Sequence, residues 1–452
     1  MSMKRHGWWG LLAAVAALTG CPSEVVDPEP TQADHPCDAV WGAVPAAGRL
    51  YVDPAASSGG DGSLAAPFDT LDAALAESRV SGALSIAIAS GDLSGTWVLG
   101  EDDTGLEIAG CGRQSTLIEG VEAEQGPNGE LVLQPAFDVR DPGTANITIR
   151  DLGVVAARRA LLVQRGAGAL GPITVARVDV LQAVRVGVLI DGGSTVAHLD
   201  DVVVEDVATD GGDFGWGIAV QTGRQLASEF AGPTVLTNVE VRDVTGLGIL
   251  ADGAFLEVTD SLVTGVLPTA SGLLGRGVQM QQFSQGCLDG LEATGNSDAA
   301  VFLESPGRAI YDVDGGGDPV VVSVTPIELL DSTLGSTSAV TLPGGEDTGD
   351  GLVATHWSPG TPQTAEEFQV VIDGTEIAGN PRSAMIAETV TASLGTNGIF
   401  SKGSGYPVVA QGGAIVEAIG GGPPPDAPVE LGPGQELALD AVPIVLDDPD
   451  AP

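Results

Sequence analysis

One six-residue phrase returns eight times between Ile149 and Ala387, and it restricts the possible folds more than any other feature of the chain. The copies are IRDLGV (149–154), VARVDV (175–180), LDDVVV (199–204), LTNVEV (236–241), VTDSLV (258–263), LDGLEA (288–293), LDSTLG (330–335) and IDGTEI (372–377). A short apolar tetrad follows each: ALLV at 160, GVLI at 187, GIAV at 217, GILA at 248, GVQM at 277, AVFL at 300, GLVA at 351 and AMIA at 384. Short strand-like pieces recurring in this way are the signature of a solenoid, in which every repeat packs on its neighbours and the core grows along a line.

Within the phrase, positions one, four and six are mostly apolar. Strict strand alternation would put inward residues two apart, so the wider gap between positions one and four requires a bend. Position three is Asp151, Arg177, Asp201, Asn238, Asp260, Gly290, Ser332 or Gly374, and Asp, Asn and Gly accept the backbone that a tight bend demands. Each hexad is expected to end one strand, turn a corner and begin the next, with the tetrad on the third side of a triangular coil. Aromatic residues make up only 4 % of the chain, which suits stacks of Val, Leu, Ile and Ala.

Spacing locates the insertions. From hexad to tetrad the offset is 11 or 12 residues in five coils and 18, 19 and 21 in the others. The additions EDVATDGGDFGW (205–216), TGVLPTASGLLGR (264–276) and GSTSAVTLPGGEDTGD (335–350) therefore share one corner. Two more excursions, 221–234 and 304–326, leave the other end of the tetrad. Insertions in a solenoid gather on one side, often the binding side.

The ends carry different information. Lys4 and Arg5 precede an apolar run, Trp8 to Leu18, that is too short to span a bilayer. It ends in Leu18-Thr19-Gly20-Cys21, which resembles the bacterial lipobox. That resemblance implies a signal peptide over 1–20, acylation of Cys21 and anchorage in a membrane. With Pro22 rather than Asp after the cysteine, it implies a bacterial outer-membrane lipoprotein, periplasmic or surface-exposed. Residues 21–36 read as an acidic, Pro-rich tether, 37–121 as cap and first coils, 122–415 as the solenoid, and 416–452 as a Gly/Pro/Asp-rich tail, largely disordered, with a late strand possible over Val429 to Leu446. Of the three remaining cysteines, Cys37 and Cys111 lie together in the cap region and are the expected disulfide in an exported protein; three separate thiols are the alternative. With 18 Lys+Arg against 61 Asp+Glu, the surface repels nucleic acid and excludes it as a partner.

Leu50-Tyr51-Val52-Asp53, Gly60-Asp61-Gly62-Ser63 and Ala66-Pro67-Phe68-Asp69-Thr70-Leu71 lead into Asp72-Ala73-Ala74-Leu75. This resembles the opening of right-handed parallel β-helix proteins of the pectin-lyase-like superfamily. The resemblance implies an all-β fold, a right-handed parallel β-helix with a short N-terminal capping helix, and carbohydrate as the ligand class, held over the tetrad strand. Asp69 or Thr70 is the expected N-cap, with Leu71, Ala74 and Leu75 as the apolar face.

The catalytic motifs of the superfamily are not found: there is no Arg-x-Pro-x-x-Arg, and Asp200-Asp201 falls inside a hexad. With Val188 and Ile190 inward, Leu162, Leu189, Ala219, Leu250, Gln279, Phe302, Val353 and Ile386 face outward. No ladder of carboxylates or cations is expected there, whereas acid–base chemistry needs two converging groups. An apolar strip of this length is expected to be covered by the inserted loops or by a partner. The candidate ligand contacts are in loops: Asp210, Asp213, Phe214, Trp216 and Trp357 for a sugar, and Asp312, Asp314, Asp318, Glu346, Asp347 and Asp350 for Ca2+; no other cofactor is expected. The chain reads as a lipid-anchored surface module that binds glycan or serves structure. Its rivals are a polysaccharide lyase or hydrolase using loop carboxylates, and an adhesin or scaffold with a protein partner.

Overall fold

The computed structural model describes Cys37 and residues 48–439, apart from 126–130, 142, 165–170, 192–194, 210–214, 222–231, 273, 283, 306–307, 312–319, 325, 343–344, 346, 357–367, 396–398, 401–405, 420–427, 432–434, 436 and 438. These residues belong to one compact unit, Thr31–Pro452. The signal, Cys21 and the tether lie outside the described residues.

The chain winds as a right-handed parallel β-helix. A 21-stranded sheet carries two faces of the coil and a 12-stranded sheet the third. On the first face, parallel partners stack as one aliphatic column: Leu50, Ile86, Ile108, Ile149, Val175, Leu199, Leu236, Val258, Leu288, Leu329, Ile372, Leu394 and Ala418. Hexad position one supplies this column from Ile149 onward. Positions four and six supply the next inward residues, such as Leu152 and Val154, both buried in the same core.

The bend falls where the third position predicts it. Asp151, Arg177, Asp201, Asn238, Asp260 and Gly374 have φ between 53° and 62° or just below, at 48° for Asp260, and Gly290 has 65°. The seventh copy differs. Its left-handed residue is Asp331, not Ser332, and Leu329 rather than Leu330 pairs with Leu288, so the phrase there begins one residue earlier. The buried Ser332 then stands at position four, as do Ser261 and Thr375 in their own coils. Their hydroxyls stay satisfied in the core: Ser332 Oγ donates to Leu330 O at 2.6 Å and accepts from Leu291 N at 3.0 Å.

A second bend lies five residues after the first, at Ala156, Gln182, Asp206, Asp243, Gly265, Gly295, Ser336 and Gly379, all with positive φ. The recurring phrase thus extends to nine residues of each coil, with inward positions one, four, six and nine and left-handed positions three and eight. The small first residue of the tetrad has a steric cause. A Cβ on Gly217 would stand 2.4 Å from Val241 Cγ1, and one on Gly248 2.4 Å from Val263 Cγ1, so the third face packs edge-on against hexad position six.

The N-terminal end is closed by α1, Leu71–Ser81. Thr70 is its N-cap, accepting from Ala73 N at 3.3 Å, and Gly82 ends it at φ 72°. Leu71, Ala74 and Leu75 enter the same core as Val52, Ile86 and Ile88. Cys37 and Cys111 form a disulfide. In the C-terminal stretch, the described residues make specific contacts where the late strand was expected. Val429–Glu430 forms a strand beside Tyr406–Gln411, and Leu437 and Leu439 touch the third face.

Candidate functional site

The third face carries the side chains that chemistry needs. Its strands include Val186–Asp191, Trp216–Gln221, Leu247–Asp252, Arg276–Gln281, Ala299–Glu304, Asp350–Thr355, Ser383–Glu388 and Tyr406–Gln411. Each of the eight tetrads is flanked by one further outward residue at either end. The middle outward column is the one expected: Leu162, Leu189, Ala219, Leu250, Gln279, Phe302, Val353 and Ile386 are successive parallel partners. It is buried throughout.

The absence of a polar ladder is corrected. One position beyond the tetrad, outward residues form a second column: Asp191, Gln221, Asp252 and Gln281, then Glu304, Thr355, Glu388 and Gln411. Stopping the strand at four residues hid this column, because parity places the sixth residue on the same side as the fourth.

Around the Arg276 strand, the polar groups form one chain of hydrogen bonds. Arg276 Nε donates to Asp298 Oδ2 at 2.7 Å, and its NH1 donates to Gln279 Oε1 at 2.8 Å. Gln279 Nε2 donates to Gln281 Oε1 at 2.7 Å, and Gln281 Nε2 to Asp252 Oδ1 at 2.7 Å. The guanidinium also lies 3.6 Å from the centre of the Phe302 ring. Arg276 is 1 % exposed and Gln279 0 %. Such a network is stable only when every member is paired.

Burial raises the Asp252 carboxyl to about 6, against the opposing hydrogen bond from Gln281. Glu304 is raised chiefly by burial, with Arg276 pulling it down and Asp252 pushing it up. Asp350 is also raised by burial, offset by its bonds from Arg382 and Ser383; Arg382 Nε reaches its two oxygens at 3.0 and 3.1 Å. Asp252 and Glu304 are two rungs apart, roughly 10 Å at the usual strand spacing.

Several candidate residues take other roles. Trp216 is 1 % exposed and packs with Val186, Leu189, Leu247, Leu250 and Leu274, so it has no face to offer a sugar. Leu274 arrives from the 264–276 insertion, which covers the strip as expected. Asp350 is buried and committed to Arg382, while Asp347 is exposed and accepts from Thr341 Oγ1 at 2.6 Å. His356 stacks on the core residue Phe368 at 3.7 Å, and its Nδ1 is 2.8 Å from Ser305 Oγ. Asp210, Asp213, Phe214, Trp357, Asp312, Asp314, Asp318 and Glu346 lie outside the described residues. Among the described residues, no three His, Cys, Asp or Glu side chains form a metal site.

No protein-family model matches this chain, and no curated protein does. Solved structures similar to it include the pectate lyase Pel9A, at 12 % identity over 70 % of this chain and 78 % of that one, with a TM-score of 0.43. The A-module of the mannuronan C-5 epimerase AlgE4 of Azotobacter vinelandii matches at 13 % identity over 80 % and 94 %, TM-score 0.44. The catalytic domain of Agl-KA matches at 12 % over 76 % and 64 %, TM-score 0.48. These neighbours share the pectin-lyase-like parallel β-helix fold.

Proposed function

We propose that this protein is a bacterial outer-membrane lipoprotein, anchored through acylated Cys21, whose β-helix is a non-catalytic binding module for glycan. Burial of the third face supports the reading. From Leu162 to Ile386 the outward column is sealed, and the strongest polar groups beside it are paired with each other. A polymer-cleaving site needs an acid and a base in reach of one bond. Glycan as the ligand follows from the resemblance of the entry motif. Calcium, in this reading, would be held by the acidic loops.

One observation favours an enzyme instead. Burial raises both Asp252, to about 6, and Glu304 from their ordinary values, and their separation of roughly 10 Å is close to that of an inverting acid–base pair. The two readings part in one experiment. Lipid-free protein is incubated with acidic and neutral polysaccharides, with and without calcium, and polymer size is followed by size-exclusion chromatography. Co-elution with intact polymer is the expected result. Shortening that disappears in Asp252→Asn and Glu304→Gln would replace the binding reading with the enzymatic one.

A further inference from the structure

We infer that the Cys37–Cys111 disulfide is a load path: a pull on the N-terminus crosses it into the second coil, and the cap between the two cysteines stays out of tension. That such a pull acts on the native protein rests on the anchoring reading above, in which the lipid on Cys21 precedes Cys37 in the chain. The bridge spans 74 positions of sequence. Within that span lie the described elements that close this end: Arg49–Val52, α1, Ser85–Ile88, Gly91–Ser94, Trp97–Leu99 and Glu107–Ala109. Both cysteines are buried, at 3 % and 1 % exposure. They are stitched into the corner where the first two coils meet. Ser90 Oγ lies 3.7 Å from Cys37 Sγ and donates to Cys111 Sγ at 3.3 Å. Cys111 N donates to Thr116 Oγ1 at 2.8 Å, and Thr116 Oγ1 donates to Ala89 O at 3.0 Å.

Tension meets different resistance at the two points of entry. Arg49–Val52 is the end strand, and among the described residues it has one parallel strand partner, Ser85–Ile88. Its other edge is met only by the loop that follows it: Tyr51 N donates to Gly62 O and Asp53 N to Phe68 O, both at 2.9 Å. A pull entering here would undo a single ladder and then strip α1 from the core, as terminal repeats fray first in a solenoid. Cys111 lies instead between Glu107–Ala109 and Thr116–Glu119. The first of these pairs with Ser85–Ile88 on one side and Thr148–Val155 on the other. The second pairs with Gly91–Ser94 and again with Thr148–Val155. Extraction there must break ladders on both sides. The bridge thus moves the point of attack from a rung with one neighbour to a rung with two. It also ties the cap to redox state. A dithiol that supplies two electrons and two protons turns the bridge into two thiols, and the end strand then becomes the first element under tension.

The test stretches single molecules of the full chain between a handle in place of the lipid at position 21 and a second handle at the C-terminus. Oxidised protein is compared with dithiol-reduced protein and with Cys37→Ser. Forced rupture reads the unfolding rate of the element under load, so losing the bridge should lower the first rupture force by roughly half or more. It should also add an early lengthening of up to about 250 Å, the extended length of the 74 positions released. An equal first rupture force with and without the bridge would overturn the load path. A second arm keeps the bridge intact and moves the first handle to Ser58, an exposed residue inside the spanned stretch, so that load enters the cap directly. The first rupture should then fall to the level of the reduced protein. A rupture as strong as that from position 21 would overturn the load path even where Cys37→Ser does not fold. Acylation is read separately, from the mass of the N-terminal peptide released from membranes. An unmodified Cys21 would overturn the lipid anchor as the source of the pull, whatever the rupture forces are.

Discussion

Two halves of one sheet face solve the same problem with opposite chemistry. From Leu162 to Leu250 the outward side of the third face is a second hydrophobic core, with Trp216, Leu247 and Leu274 completing it. From Arg276 to Asp350 the equivalent positions mix charged and amide groups, Arg276, Gln279 and Asp350, with the apolar Ala299, Phe302 and Val353, all buried to a similar degree. The strand geometry is continuous across the boundary, since Leu250 pairs with Gln279 and Gln279 with Phe302. The backbone therefore does not dictate which chemistry fills the face. A dry aliphatic cluster is tolerant, because its members need only volume. A buried polar chain is not: each link is satisfied only by the next, so it keeps a unique arrangement or loses several kcal/mol.

The sharpest way to break the contrast is to remove Arg276. Arg276→Met leaves Asp298 as a buried charge without its main partner and Gln279 with an unfilled acceptor. The expected cost is about 3–5 kcal/mol, read by denaturant unfolding, and Asp298→Leu added to it should restore most of that loss. Recovery is the informative arm, because it separates the cost of an orphaned charge from the cost of lost volume. On the apolar side, Leu250→Ala should cost about 2–5 kcal/mol, with no second change at a neighbour able to restore it except one that refills the space. Equal rescue in both halves would mean that the polar network behaves as ordinary packing.

The fold was legible because its rule is local. Hexad positions one, four and six, the bend at position three and the tetrad parity all follow from side-chain alternation and from residues that accept positive φ. The slip at Ser332 has the same origin: with Leu329 and Leu330 adjacent, the apolar pattern allows two phases, and only the left-handed Asp331 decides between them. The polar column was also written in the chain, as Gln164, Asp191, Gln221, Asp252, Gln281, Glu304, Thr355 and Glu388 immediately after the eight tetrads. Hydrophobicity ends one residue before the strand does, so the apolar pattern alone leaves it out. Long-range closure was not legible. Nothing near Trp216 announces that Leu274, from another coil, will bury it, and nothing near Gln411 announces Leu437. Asp350 looked like one carboxylate of an acidic turn, and only the next coil, bringing Arg382 onto it, makes it half of a buried pair.

The mildest probe of the contrast is proton uptake. Asp252 ends the polar chain, and its carboxyl is raised from 3.8 to about 6 by burial. The folded state therefore holds the proton more tightly than the unfolded chain. Well below pH 3.8, Asp252 is protonated in both states and makes no difference. As the pH rises towards 6 the unfolded chain ionises first, and the native state loses up to about 3 kcal/mol relative to acid, a loss that stays level above that range. Asp252→Asn keeps an oxygen for Gln281 Nε2 and removes the titration. The variant should match the parent near about pH 2.5, below the unfolded value, and be the more stable of the two at pH 7, by no more than that amount. Leu250→Ala, one strand position pair away on the apolar side, should shift stability by the same increment at both pH values. A pH-independent Asp252→Asn would mean that the carboxylate is solvated in the native state, and the polar half would then be an open surface rather than a second, hydrogen-bonded core.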